Sequence, residues 1–231
     1  MRKIKKWFEK QHDIYRGLDF PIDRIIGKSF STPSLLPHQR LLEQYEAHGR
    51  YGFDWKETHY FRRITVNTES PESSFDALPA DLDVSPTWWL MPWAWYPSKT
   101  SYHDHEALEK RAFEKISCFF DLYESIKECG YDMRKGGAIR GYILEHPFFG
   151  RVFNQIDGHH RMAILDFLSR NYVLNNKFVR VFPIDSICRD EVYDQSTCRK
   201  GLRQGVFSEK DVLRLFDHPF QQLGLEKEKK I

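Results

Sequence analysis

The stretch from Arg151 to Arg170 constrains this chain more than any other part of it. Arg151 to Ile156 reads as a strand, Asp157-Gly158 as a turn, and the residues to about Arg170 as a helix with Ala163, Ile164, Phe167 and Leu168 on its apolar face. A strand that breaks at Asp-Gly and enters a helix at once gathers unladdered backbone N–H groups and the positive end of the helix dipole at one point. Gly158 lets the backbone come close to an anion, and Arg161 on the first turn offers a fork of donors matched to phosphate oxygens. His159 and His160 add imidazoles able to donate hydrogen bonds or move a proton near neutral pH. The bland alternative is a solvated polar first turn. Metal binding by the two histidines alone is disfavoured, because adjacent helical side chains diverge by about 100°.

The flanking sequence places this turn in an alternating pattern. Leu108, Ala112, Ile116, Phe119, Tyr123 and Ile126 recur at spacings of three and four and predict a helix over 104 to 129, with Asp104 to cap it and Gly130 to end it. Ala138 to Leu144 reads as a strand, Glu145-His146-Pro147 as a turn into the strand before the motif, and Phe178 to Phe182 as a further strand. Helix, strand, strand, helix, strand is the order of a compact α/β (α+β) unit. Upstream, Leu41, Leu42 and Tyr45 share one face of a short helical pattern. Downstream, the chain from Ile184 is expected to be charged and partly helical, with Ser208 to Asp211 as a helix start and the last residues, from Leu225, frayed.

A run rich in Ser, Pro, Asp and Glu from Val66 to Pro86 is the best candidate boundary. It divides the chain into an N-terminal extension, 1–85, a core domain, 86–187, and a C-terminal helical tail, 188–231. The segment Thr87 to Tyr96 carries four tryptophans and Pro92, and reads as a buried strand or extended segment. Its rings fill a core or, at Trp93 and Trp95, face a pocket and stack on a sugar or base.

Composition excludes several classes. Lys and Arg number 35 against 33 Asp and Glu, so a formal charge of +2 supplies no field that would gather nucleic acid. The four cysteines form no Cys-x-x-Cys pair, which argues against a zinc ribbon or redox pair. Met1 to Trp7 is basic but no apolar run follows, and no stretch nears the ~20 apolar residues of a membrane span. A cytoplasmic location is expected.

The helix ending Tyr123-Glu124-Ser125-Ile126-Lys127-Glu128-Cys129-Gly130, the run Ile156 to Leu165 with its Asp157-Gly158-His159-His160-Arg161 centre, and the strand Val179 to Pro183 together resemble the ParB/sulfiredoxin superfamily over roughly residues 100 to 185. The resemblance implies a small mixed sheet with flanking helices that binds a nucleotide. His159 stands where sulfiredoxins carry their reactive cysteine, which disfavours sulfinic acid repair. His159, His160 and Ala163 replace residues of the chromosome-partitioning branch, which disfavours a CTP-gated DNA clamp.

Asp-Gly-His-His-Arg is most similar to the free serine kinases. That similarity implies a kinase using ATP or ADP with Mg²⁺ to phosphorylate a hydroxyl of an amino acid, sugar or polyol. It implies that Gly158, His159, His160 and Arg161 hold the nucleotide, that Asp157 holds magnesium or assists, that His160 and Glu106 take part in catalysis, and that His105 touches substrate. The structural alternative for Glu106 is an acid placed favourably at a helix start, and for Asp157 a helix cap. The competing functional readings are a nucleotide-binding regulatory or interaction module, with a nucleic-acid partner as a variant, and a nuclease-like activity using Arg134, Lys135, Arg140 and Arg151 as a local basic patch.

Overall fold

In the computed structural model, the residues described are 17–27, 37–65, 105–172, 177–195, 199, 202–203 and 208–225. Trp93 and Trp95 fall outside them, and of His105 only the backbone is described. The sheet is mixed, as the α+β reading expects. Strands β1 (Leu18–Pro21), β2 (Ile25–Ile26), β3 (Arg140–His146), β4 (Gly150–Asp157) and β5 (Phe178–Cys188) lie in the order β1-β5-β3-β4-β2. The β1/β5 and β3/β4 pairs are antiparallel, and the β3/β5 and β2/β4 pairs are parallel.

Both edges of this sheet come from residues 18–26, within the segment expected to stand outside the core as an extension. One short 3-10 turn, Ile22–Arg24, carries the chain from β1 on one edge to β2 on the other. In a flat sheet β1 and β4 would be three strand spacings apart, about 14 Å. The rings of Phe20 on β1 and Phe153 on β4 are 5.8 Å apart between centroids, so the sheet is curled.

Period-two alternation sorts the strands between two cores. Ile143 and Phe153, opposite each other on β3 and β4, face the larger one, where Ala112, Ile116, Phe119, Tyr123, Ile164 and Phe167 pack. Their neighbours Leu144 and Val152, with Ile187 on β5, face the other. That second core is closed by a C-terminal helix, Glu209–Gln222, whose start is a capping box between Ser208 and Asp211 and whose Val212, Leu215, Phe216 and Phe220 are buried. The segment expected as a tail therefore forms a full layer. Strand β5 also runs past Phe182 to Cys188, its pairing with β3 shifting register beside Pro183. A proline without an N–H at an irregularity interrupts the ladder locally and the strand resumes beyond it.

Over the larger core lie α1 (Pro37–His48), α2 (His59–Thr65), α3 (His105–Cys129) and α4 (His159–Asn171). Three of these run in the same direction. At one end His38 of α1 meets Phe119 of α3 and His160 of α4. Further along, Tyr45 meets Tyr123, which meets Phe167. At the far end Glu46 accepts hydrogen bonds from Lys127 and from Tyr172, just past α4. The starts of α1 and α4 thus lie at one end of the layer, and α3 extends beyond them.

Candidate functional site

The strand-to-helix turn expected from sequence is present. Gly158 takes φ 86° and ψ 25°, the left-handed region that glycine enters without strain. A Cβ here would also lie 3.0 Å from Cα of Ile139 and 3.2 Å from the Ala138 carbonyl oxygen, so the turn is pressed against the residues that lead into β3. Gly158 is the N-cap of α4 and offers no side-chain acceptor. The helical ladder opens with Met162 N–H donating to the Gly158 carbonyl at 3.0 Å, and the first turn carries no acid. The N–H groups of residues 159 to 161 stand before that ladder.

Two donors assigned to an anion by the sequence reading are engaged within the turn. Gly158 N–H donates to Oδ1 of Asp157 at 2.7 Å. Arg161 donates from Nη1 to the Ala138 carbonyl at 3.1 Å, with Nη2 only 2.6 Å from where a Gly137 Cβ would stand. Gly137, at φ 81°, is what admits the guanidinium. Tyr131 closes the same loop by donating to the Gly137 carbonyl at 2.9 Å; burial pushes its phenol up, against the opposing charge of Arg161. Arg161 thereby binds the loop after α3 to the start of α4. Its Nε is buried without a partner.

Beneath the turn, Gln155 is 1% exposed and donates from Nε2 to the Asp157 carbonyl at 3.0 Å, while its Oε1 is buried without a partner. Asp157 itself is exposed. Its carboxylate does not cap α4 and keeps an oxygen beyond the one bonded to Gly158. Among the described residues no three His, Cys, Asp or Glu side chains are grouped as a metal cage. A single exposed carboxylate fits a magnesium ion that arrives with phosphate ligands, since such ions are held by one or two carboxylates with phosphates and water.

His160 is the motif residue with the most developed surroundings. Its Nε2 lies 2.8 Å from the hydroxyl of Tyr60 on α2. The rings of His38 and Phe119 lie 5.1 and 5.2 Å from its own, and His38 also packs on Tyr60 at 4.6 Å. Neither Tyr60 nor His38 was legible as a site residue, because only the tertiary fold brings α1 and α2 against α4.

Glu106 is exposed in the first turn of α3, roughly 20 Å along the axis from Phe119 at ~1.5 Å per residue. Phe119 is the α3 ring against His160, and the hydrogen bonds of Asp157 and Arg161 go to Gly158 and Ala138, not to Glu106. Lys115 stands one turn before Phe119 on the same side of the helix. It is half-buried, and among the described residues it has no carboxylate partner. Burial, and then the charge of Arg111, push its ammonium down from the usual lysine range.

Fold and site together define a curled mixed α+β sheet bearing a glycine-capped helix start whose first turn carries His159, His160 and Arg161. No family model, no curated protein and no solved structure matches the chain. No helix among the described residues is long and apolar enough to cross a membrane.

Proposed function

We propose that this chain is a small-molecule kinase that transfers a phosphoryl group from ATP or ADP to a hydroxyl of an amino acid, sugar or polyol, with the start of α4 as its phosphate site. The observation that carries the reading is the Gly158 turn. A 13-residue helix begins there on a glycine that offers no side-chain cap and has no acid in its first turn, so the dipole's positive end favours an anion. Lys115, half-buried and without a carboxylate partner among the described residues, lies one turn of α3 from the Phe119 ring that packs on His160 and would add positive charge for a phosphate to neutralise.

Phosphoryl transfer needs positioning and charge neutralisation more than covalent help from the protein. Asp157 would hold magnesium, which would supply positive charge to offset that of the phosphates. The N–H groups of the first α4 turn and Lys115 hold the phosphates, while Arg161 keeps the Gly137 loop against that turn. The acceptor's O–H bond breaks as its oxygen bonds phosphorus, and the bond from phosphorus to the leaving ADP or AMP breaks. Asp157 and His160 are the groups on the turn able to take the proton.

The placement of Glu106 favours a second reading, a nucleotide-binding regulatory module without transfer. Calorimetry with ATP and ADP in the presence of Mg²⁺, followed by a phosphorus NMR screen of hydroxyl-bearing metabolites, separates the two. The kinase is expected to bind one nucleotide and consume it with one acceptor class, and Asp157→Asn is expected to abolish turnover. Binding without turnover across the screen leaves the module. No binding of either nucleotide removes both.

A further inference from the structure

Arg140 and Asp157 carry opposite charges at facing positions of the β3/β4 ladder and do not pair with each other. We propose that Arg140 is a further phosphate-binding residue: its guanidinium takes oxygens of the phosphate whose magnesium Asp157 holds, so that the two residues together select a metal-bound nucleoside diphosphate or triphosphate. The assignment deepens the phosphate-site reading and rests on it.

Facing residues on an antiparallel ladder send their side chains to one face, with Cβ atoms about 5 Å apart. Gly141 faces Gln155 but Arg140 faces Asp157, so Ile156 is an extra residue on β4 and the ladder bulges there. Such a bulge bends the strand and re-aims its side chains. Gln155 supports the bulge by donating to the Asp157 carbonyl, and its own Oε1 stays buried without a partner. An unpaired buried acceptor is unfavourable for folding, and this one falls at the residue that holds Asp157 in place. The backbone beneath Arg140 is fixed from three sides. Arg161 donates to the Ala138 carbonyl, the Gly158 turn presses on Ile139, and the Ile139 carbonyl accepts from Phe182 N–H at 2.8 Å. Arg140 thus extends the clamped segment that meets the start of α4, and its side chain is exposed.

An arginine beside a carboxylate ordinarily forms a forked ion pair. Here the Asp157 carboxylate accepts from Gly158 N–H instead, and among the described residues Arg140 makes no side-chain hydrogen bond or ion pair. Two open charges of opposite sign, one rung of the ladder wide, match a ligand that carries both: phosphate oxygens for the guanidinium and a magnesium ion for the carboxylate. A phosphate without the metal meets Asp157 as a like charge, so the arrangement favours the metal-bound form.

The test is calorimetry on the full chain with ADP, with and without Mg²⁺, and with Mg·pyrophosphate as a probe that lacks base and sugar. Arg140→Gln is expected to weaken binding of Mg·ADP about tenfold, and to weaken binding of metal-free ADP as well, since the lost bond is to phosphate itself. Asp157→Asn is expected to weaken binding only when Mg²⁺ is present. The urea midpoint of Arg140→Gln is expected to match the wild type, because the substitution breaks no hydrogen bond or ion pair of the folded protein. Equal affinity for Mg·ADP in wild type and Arg140→Gln overturns the proposal and leaves the phosphate site standing. A weakened affinity with a lowered midpoint also overturns it, since the arginine then acts through the fold. A wild type that binds Mg·pyrophosphate but no ADP, and loses that binding in Arg140→Gln, keeps the arginine's role and sinks the nucleotide reading. Binding of neither probe removes both.

Discussion

Gly158 concentrates more constraint than any other single residue. A side chain there meets two penalties at once: the left-handed backbone, at about 1–2 kcal/mol, and the close Ile139 backbone, which cannot retreat without disturbing the strand beside it. Gly158→Ala is expected to cost about 3 kcal/mol in urea unfolding, and a loss below about 1 kcal/mol would mean that the turn adapts freely. Lys115 poses the opposite case. A half-buried cation without a carboxylate partner among the described residues is unfavourable for folding, so Lys115→Met is expected to raise the urea midpoint of the ligand-free protein while weakening binding of Mg·ADP. A lower midpoint with unchanged affinity would make this lysine an ordinary packing residue. Of the site, the run 157–161 was legible because local order alone specifies it. Tyr60 and His38 were not, since His160 finds Tyr60 a hundred positions away in sequence. Lys115 sat in plain view within the α3 stripe, but no local pattern distinguishes it from a solvated lysine.

Among the elements, α3, α4 and the β3–β4 hairpin were legible because each satisfies its own period over many residues. Strands β1 and β2, of four and two residues, are too short for periodicity and exist through pairing with β5 and β4. The end of β5 was lost at Pro183, where a missing N–H imitates a stop. The C-terminal helix is fastened to the hairpin by Asp217, which pairs with Arg189 through two bonds of 2.7 and 2.8 Å and lies 3.4 Å from Nε2 of buried His146. Nδ1 of His146 accepts from Phe148 N–H, so the folded protein calls for a neutral ring. Burial pushes the His146 imidazolium down, with Asp217 acting against it. The unfolded chain takes up its proton near the ordinary 6.5, so this residue withdraws stability as pH falls below that value. His146→Asn, which keeps an acceptor near Phe148 but gains no proton, is expected to show a shallower loss of unfolding free energy between pH 7.5 and pH 5.5. Parallel slopes in the two proteins would count against it.

Among the described residues, the sheet and its two cores draw on all three parts of the division suggested by composition. The residues at 18–26 complete both edges of the sheet, and the helix at 209–222 closes its second face. A fragment of residues 86–187 is accordingly expected to lack cooperative unfolding and dispersed amide signals, because it would expose two open edges and an uncovered apolar face. A well-dispersed spectrum from that fragment would show the central segment to be self-sufficient. The strap from β1 to β2 also bears on biosynthesis. It leaves the ribosome before its partners β4 and β5, which end at Asp157 and Cys188. At roughly 5–20 residues per second the nascent chain carries two unmatched strands for on the order of ten seconds. Closure of the sheet waits for β5, so the growing chain carries open strand edges throughout that interval.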